Sequence, residues 1–193
     1  MRGASILLLA AAAGAGTFGF SRQASALGPI DLEVGARAGY GSNPFKDAPP
    51  INPLGGGIGA RAGVSFFNIY AGASFMYYFG GSTNEALTDP GTGTTTSEKV
   101  SQSSFLYGLE AGYNFSILFL TIRPQIGVGS YNLHTSVGGD SADKHNVYIE
   151  PRATALIGIG LFYFGADVGV LLTPGLTDSK AALLVNGQIG LKF

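Results

Sequence analysis

The chain ends in a stretch whose side chains alternate in character from one residue to the next. Residues 181–193 read AALLVNGQIGLKF. One face carries Ala181, Leu183, Val185, Gly187, Ile189, Leu191 and Phe193, and the other carries Ala182, Leu184, Asn186, Gln188, Gly190 and Lys192. A period of two residues is that of a β-strand, in which successive side chains point to opposite faces. The C-terminal stretch is therefore predicted to be a strand with one bulky apolar face and one small or polar face.

The same period recurs along the chain from Ile30 onward and predicts an all-β fold. Eight strands are predicted, at residues 30–42, 55–66, 69–80, 104–115, 117–131, 147–159, 161–173 and 181–193. Each is long enough for a tilted strand that crosses a membrane, which needs about 9–11 residues.

Charged residues distinguish a membrane barrel from a soluble sandwich. Once the apolar residues set the phase of each strand, ten charges fall on the glycine-rich face: Asp31, Glu33, Arg37, Arg61, Glu110, Arg123, Glu150, Arg152, Asp167 and Lys192. None falls on the bulky apolar face. A charge that faces lipid near the midplane costs about 2–4 kcal/mol, whereas water imposes no such exclusion. The pattern predicts an eight-stranded antiparallel up-and-down transmembrane β-barrel whose small and charged residues face inward.

The connections between the predicted strands alternate in length. Residues 43–54, 81–103, 132–146 and 174–180 are predicted as long polar loops, and the connections at 67–68, near 116 and near 160 are tight. Long external loops and short periplasmic turns are typical of outer-membrane barrels. An even number of strands also brings the first strand beside the last, so that the sheet closes without free edges.

The first residues have the features of a secretory signal. Arg2 precedes an apolar segment at residues 6–13, and Ala24-Ser25-Ala26 matches the small-residue pattern of a cleavage site. Residues 1–26 are therefore predicted to be a signal peptide, and residues 27–193 to form the barrel.

Composition excludes several kinds of function. The formal net charge is −1, which gives no electrostatic reason to bind nucleic acid. Cysteine is absent, so disulfides and thiolate metal sites are excluded.

Two prolines fall inside predicted strands. Pro124 and Pro151 both have the lipid-facing phase, and a proline removes one donor from the hydrogen-bonded ladder. Either a bulge or local break in the barrel, or a misplaced strand, accounts for them.

These features together resemble the eight-stranded outer-membrane families of OmpA and OmpX type. The signal peptide, the even strand number, the loop asymmetry and the ending Gly187-Gln188-Ile189-Gly190-Leu191-Lys192-Phe193 carry the resemblance. It implies a bacterial outer-membrane location, contact with outer-membrane lipid and lipopolysaccharide, and insertion by the barrel assembly machinery. Ile189, Leu191 and Phe193 then match the C-terminal insertion signal of such families. The periplasmic peptidoglycan-binding domain of OmpA itself has no counterpart in this sequence.

The ten inward charges are the main candidate site, and they are balanced at five acidic and five basic residues. The strand phases indicate three pairs: Arg152 with Asp167, Glu110 with Arg123, and Glu33 with Lys192. Buried charges must be paired, and a barrel of eight strands is just wide enough for side chains to fill. A lumen plugged by ion pairs is the favoured interpretation, and a narrow pore for ions or small solutes is the alternative.

Other chemistry-bearing residues are sparse. His134 and His145 bracket Asp140 and Asp143 in a predicted loop, but their spacing matches no known metal motif. Ser130 and His134 share a face, yet residues four apart on a strand are about 13 Å apart, too far for a nucleophile and its base. No catalytic, cofactor-binding or metal site is therefore predicted.

The expected function is a structural or surface-interaction role in the outer membrane, without enzymatic activity. An unidentified extracellular partner would meet the loops at 43–54, 81–103, 132–146 and 174–180. A lipid-modifying enzyme with its site on the lipid face is a second alternative.

Overall fold

A computed structural model describes residues 30–45, 51–88, 95–175 and 179–193. The predicted signal peptide at residues 1–26 lies outside this part of the chain. Strand segments dominate the described residues: β1 (Ile30–Gly41), β2 (Gly55–Phe66), β3 (Ile69–Thr88), β4 (Thr95–Tyr113), β5 (Phe115–Ile117), β6 (Leu120–Val137), β7 (Asp140–Ile159), β8 (Phe162–Leu171) and β9 (Ala182–Lys192). Within the same residues, no helix is long and apolar enough to cross a membrane.

The sheet closes on itself through two antiparallel pairings that join distant parts of the chain. β1 pairs with β9, and β4 pairs with β6, so the ring runs β4-β3-β2-β1-β9-β8-β7-β6 and back to β4. The ninth segment, β5, continues β4 and pairs with β6 in the same register. The predicted eight-stranded antiparallel barrel is confirmed.

Three tight turns connect strands at one end of the barrel. Phe67, Leu118 and Gly160 adopt positive φ angles of 52°, 55° and 64° at these turns. Two-residue hairpins favour such conformations because they match the twist of the flanking strands. The predicted turns at 67–68 and near 160 are in place. The predicted turn near 116 is displaced to Leu118 because the β4 and β5 stretch continues to Ile117.

At the opposite end, two of the predicted loops are wrong. Most of the segments 81–103 and 132–146 form strand: β3 and β4 pair as far as Thr88↔Thr95, and β6 and β7 pair as far as Val137↔Asp140. β4 and β6 are also paired from Gly112↔Gln125 to Val100↔Val137. The result is a four-stranded extension of the barrel wall, β3-β4-β6-β7, which we call the hairpin extension (residues 81–88, 95–103 and 132–146).

The two prolines interrupt pairing without changing register. Pro124 lies where the β4 ladder stops at Gly112↔Gln125, and pairing resumes at Phe115↔Ile122 in the same alignment. Pro151 lies between Arg152↔Gly169 and the isolated bridge Ile149↔Leu172, again in one alignment. Each proline lacks the N–H that its neighbouring strand would accept. The predicted local break is therefore confirmed at both prolines, and the alternative of a misplaced strand is wrong.

The outer surface of the barrel is apolar. Val34, Ile58 and Leu109 are about half exposed or more, at 54%, 55% and 67%. From the short turns to Tyr107 and Val128, the outward residues of the described strands carry no charge. An uncharged apolar band around a closed barrel is the surface that faces lipid in membrane barrels.

Candidate functional site: the barrel interior

Eight of the ten predicted inward charges lie buried in the barrel interior. Four are arginines and four are carboxylates, so their formal charges cancel, and each is 5% exposed or less: Glu33, Arg37, Arg61, Glu110, Arg123, Glu150, Arg152 and Asp167. Asp31 and Lys192 lie at the short-turn rim instead. Their side chains pair at 2.9 Å and are 44% and 38% exposed.

The cluster of interior charges nearest the short turns is built on Glu33 and Arg123. Two guanidinium nitrogens of Arg123 donate to the two carboxylate oxygens of Glu33 at 2.6 Å and 2.9 Å. Arg123 Nε donates to Asn114 Oδ1, and Asn114 Nδ2 donates to Ser65 Oγ at 3.0 Å. The Arg123 guanidinium also stacks over the Tyr70 ring, 3.9 Å from its centroid. The guanidinium of Arg123 thus uses its N–H groups in hydrogen bonds at its edge and one of its flat faces in stacking.

The central cluster is built around Glu110. This carboxylate accepts hydrogen bonds from Arg152 Nη1 at 2.9 Å and from Ser74 Oγ at 2.6 Å. Guanidinium nitrogens of Arg61 and Arg37 lie 3.5 Å and 3.7 Å from it. Three arginines therefore converge on one buried carboxylate.

Two further carboxylates complete the central cluster. Glu150 receives two hydrogen bonds from Arg152, at 2.7 Å and 2.8 Å. Asp167 Oδ1 accepts from Arg37 at 2.9 Å and from Asn186 at 2.8 Å. Every carboxylate of the cluster is thus paired with an arginine, as buried charge requires, while Arg37 Nε, Arg61 Nε and Arg61 Nη2 have no hydrogen-bond partner among the described residues.

The pairs that the sequence indicated are only partly present. Arg152 Nε lies 3.8 Å from Asp167 Oδ1, so these two residues are brought together. The Glu110–Arg123 and Glu33–Lys192 pairs are wrong: Arg123 binds Glu33, Glu110 binds Arg152, and Lys192 binds Asp31. For the arginines, the prediction assumed partners on adjacent strands, whereas these long side chains reach across the lumen. Lys192 does bind a carboxylate of the adjacent strand β1, but it is that of Asp31 at the rim.

Inward glycines make room for buried tyrosines. A Cβ atom placed on Gly63 or Gly72 would lie 2.4 Å or 2.2 Å from Tyr70. One placed on Gly35 would lie 2.1 Å from the Tyr163 hydroxyl oxygen. The glycine-rich face thus compensates for large side chains on neighbouring strands, because a closely packed interior leaves no room for both.

The half of the interior nearer the hairpin extension is apolar, which the sequence prediction missed. Its buried members are Leu54, Met76, Tyr78, Leu106, Tyr131, Leu133, Tyr148, Leu171, Ala182 and Leu184. We call these residues the apolar layer. The detectable signal was a set of large apolar residues with the inward phase, such as Leu106 and Leu184.

Part of the first predicted loop folds over the mouth of the barrel. Ile51 and Leu54 are 2% and 0% exposed. Asn52 holds this segment, since its Nδ2 donates to the Gly41 carbonyl at 2.8 Å and its Oδ1 accepts from Leu54 N at 3.1 Å. These residues of the 43–54 segment therefore close the barrel and are not available as a partner surface.

The histidines of the third predicted loop lie on strands. His134 Nδ1 is 2.7 Å from Asp143 Oδ1, and His145 Nδ1 is hydrogen-bonded to Asn132 Oδ1. Ser130 Oγ donates to Asn132. No cluster of three or more potential metal ligands occurs in the part of the chain that the structure describes.

The three residues of the C-terminal pattern share the outer face. Ile189, Leu191 and Phe193 are 48%, 37% and 44% exposed. Phe193 exchanges two backbone hydrogen bonds with Leu32, both at 2.9 Å. The end of the chain therefore helps to close the barrel.

Comparison with known proteins identifies the fold. No family model and no curated protein matches this sequence. Among solved structures, the N-terminal β-barrel domain of Pseudomonas aeruginosa OprF matches with a TM-score of 0.56 and 12% identity, over 84% of this chain and 97% of that one.

Two further solved structures agree. The Yersinia pestis attachment invasion locus protein Ail matches with a TM-score of 0.51 and 11% identity, over 85% of this chain and 97% of that one. Neisserial surface protein A matches with a TM-score of 0.53 and 12% identity, over 86% and 97%. The chain has the fold of the eight-stranded outer-membrane β-barrels, as the resemblance to the OmpA and OmpX type implies.

Proposed function

We propose that the protein is a closed outer-membrane barrel that anchors a surface outside the cell and conducts nothing through its lumen. The proposal rests on the apolar outer band, the filled interior and the likeness to solved outer-membrane barrels. In this arrangement the short turns face the periplasm and the hairpin extension faces outward. Outer-membrane lipid and lipopolysaccharide surround the band, and Ile189, Leu191 and Phe193 form the signal that the barrel assembly machinery reads.

One observation carries the closure. Glu33 lies on β1 and Arg123 on β6, and these strands are four places apart in the ring of eight. Their side chains nevertheless meet at 2.6 Å. A salt bridge between opposite walls leaves no open channel at that level. The central cluster and the apolar layer fill the interior between this salt bridge and the hairpin extension.

The surface role rests on the hairpin extension. Paired strands hold its side chains in fixed rows, which makes it a defined surface for an extracellular partner. The described parts of the 174–180 segment add to the same end, since Ser179 pairs with Phe45.

Single-cysteine labelling tests the orientation, because the chain has no cysteine of its own. Intact cells carrying either Ser141→Cys in the extension or Ser116→Cys near a short turn are treated with a membrane-impermeant maleimide. We expect labelling of Ser141→Cys only. Labelling of Ser116→Cys only would overturn the orientation.

Solute efflux tests the closure in bulk. Liposomes that contain the refolded protein should retain a trapped small solute as well as empty liposomes do. Rapid efflux would instead indicate the narrow pore.

A further inference from the structure

The outward face of the hairpin extension carries polar side chains in rows that run across its strands. Ser82, Ser101, Ser136 and Ser141 are directly opposite one another on β3, β4, β6 and β7. The next row toward the barrel consists of Ser103 on β4, His134 on β6 and Asp143 on β7. A serine, a histidine and a carboxylate thus lie side by side in that order.

The histidine in this row is oriented by the carboxylate. His134 Nδ1 lies 2.7 Å from Asp143 Oδ1. With the proton on Nδ1, the second ring nitrogen, Nε2, keeps a free lone pair on the side of the ring away from Asp143. Ser103 lies directly opposite His134 on β4, the strand on the other side of β6 from Asp143.

Ser103 and His134 are neighbours across paired strands, so rotation of the serine side chain brings its hydroxyl toward the imidazole. Directly opposite residues of an antiparallel pair have Cβ atoms about 4.5–5.5 Å apart, which the imidazole ring can bridge to a serine hydroxyl. A nucleophile, a base and a residue that orients the base are the three parts of a Ser-His-Asp triad, which is recognised by geometry and roles on unrelated folds.

A groove of about 360 Å³ opens beside the row, and both Ser103 and His134 line it. Lys99 and Ser101 line the same groove on its outer side, and Tyr77 and Phe79 line it on the barrel side. The groove therefore carries a second hydroxyl one outward position from Ser103 and a positive charge farther along the same strand.

On β3 and β4 the row is followed, toward the barrel, by the outward aromatic residues Tyr77, Phe105 and Tyr107. Ser103 is one outward position above Phe105, which pairs with Tyr77. Aromatic side chains mark the interface between hydrocarbon and headgroups on membrane barrels. The groove is thus placed at the level where acyl chains are joined to their headgroups.

We propose that Ser103, His134 and Asp143 form a hydrolytic site that cleaves acyl esters of outer-leaflet lipids. Ser103 Oγ attacks the ester carbonyl carbon while His134 Nε2 takes the hydroxyl proton. The bond between the carbonyl carbon and the leaving alcohol breaks, and His134 returns the proton to that alcohol. Water then adds to the acyl-serine, the carboxylic acid leaves, and Ser103 is regenerated. The site lies outside the lumen, so this activity is separate from the closed barrel described above.

Covalent labelling tests the nucleophile and does not require the lipid to be identified. The refolded protein in lipid–detergent micelles is treated with a fluorescent fluorophosphonate, which forms a Ser Oγ–P bond as fluoride leaves, and the labelled peptide is identified by mass spectrometry. We expect label on Ser103, none in Ser103→Ala, and at least about tenfold slower labelling in His134→Ala. Equal labelling of Ser103→Ala and wild type, or no labelling of wild type, would overturn the proposal.

Hydrolysis of an acyl ester supplies the second readout. With a p-nitrophenyl acyl ester in the same micelles, the Ser103→Ala and His134→Ala variants should fall to the background rate, and Asp143→Asn should lose at least about tenfold. Ser136→Ala is the matched control, because Ser136 is equally half-buried on the same outward face but lies in the next row. Retained barrel folding in each variant, shown by the heat-modifiable gel shift of the folded form, ensures that loss of activity reports chemistry. Hydrolysis that is unchanged in Ser103→Ala would contradict the site.

Discussion

Glu33 and Arg123 lie on opposite walls of the barrel and are joined by two hydrogen bonds of 2.6 Å and 2.9 Å. Ninety residues of sequence separate them. Both side chains are almost fully buried, and Asn114 and the Tyr70 ring occupy the remaining faces of the guanidinium. Because the pair spans the lumen, its strength bears both on the stability of the barrel and on whether the barrel conducts.

Removal of one partner of this pair should be strongly destabilising. Arg123→Ala leaves the Glu33 carboxylate buried without its guanidinium, and breaking a buried pair in this way costs about 3–5 kcal/mol. Urea unfolding of the refolded protein in lipid bilayers measures the change. The matched control is Lys192→Ala, which breaks the half-exposed Asp31 pair and should cost about 1 kcal/mol or less. Equal losses in the two variants would contradict the structural account.

The glycines that face Tyr70 should not tolerate a methyl group. Gly63→Ala places a Cβ 2.4 Å from the Tyr70 ring, and overpacking of this kind costs about 1–3 kcal/mol. Gly56→Ala is the control, since a Cβ at Gly56 has nothing within 4 Å. Unfolding free energies in the same lipid system should separate the two variants. A Gly63→Ala protein as stable as wild type would show that Tyr70 is free to move aside.

The apolar layer should contribute as a hydrophobic core does. Leu54→Ala removes a fully buried side chain, and such a change costs about 2–5 kcal/mol. Leu118→Ala removes the same atoms from a turn residue that is 94% exposed, so its effect should stay within about 0.5 kcal/mol. If both variants unfold like wild type, residues 51–54 do not pack into the barrel mouth.

Cross-linking tests the register of the hairpin extension, on which the proposed hydrolytic row depends. Ser101 and Ser136 are directly opposite, so Ser101→Cys with Ser136→Cys should form a disulfide under mild oxidation. Ser101→Cys with Ser141→Cys should not, since their strands are two spacings apart, about 10 Å. Non-reducing gels of the folded protein distinguish the two double variants. A disulfide only in the second pair would show a different alignment.

The fold was largely predictable because alternation is strongest where one face meets lipid. In β1 and β9 no outward residue is charged, and most outward residues are apolar. This pattern shows which residues of each strand face outward and how long each strand is. The hairpin extension was missed for the same physical reason. Beyond the apolar band the outward face of a strand carries polar residues, and its buried inward face includes polar residues such as Ser104. Stretches such as Ser101–Ser104 and Thr135–Ser136 therefore lack a continuous apolar face and resemble loops in the sequence.

The interior was predictable by residue but not by partner. Strand phase alone identifies Arg37, Arg61 and Arg123 as inward. It does not show which carboxylate each one reaches, because a long arginine side chain crosses a narrow lumen and several acceptors lie within its range. The row of Ser103, His134 and Asp143 depends on the register of β4 with β6. The sequence does not reveal this register, because residues 81–103 and 132–146 were predicted to be loops.

Single-channel current recording across a planar bilayer tests the closed lumen most directly. The refolded wild type should show no conductance steps above the bare bilayer, because the Glu33–Arg123 pair, the central cluster and the apolar layer fill the lumen in series. Arg152→Ala, which removes the arginine shared by Glu110 and Glu150, serves as the paired variant. It should also stay silent while the apolar layer is intact. Steady conductance of the wild type that changes with Arg152→Ala would contradict the closed barrel and make the interior charges the lining of a pore.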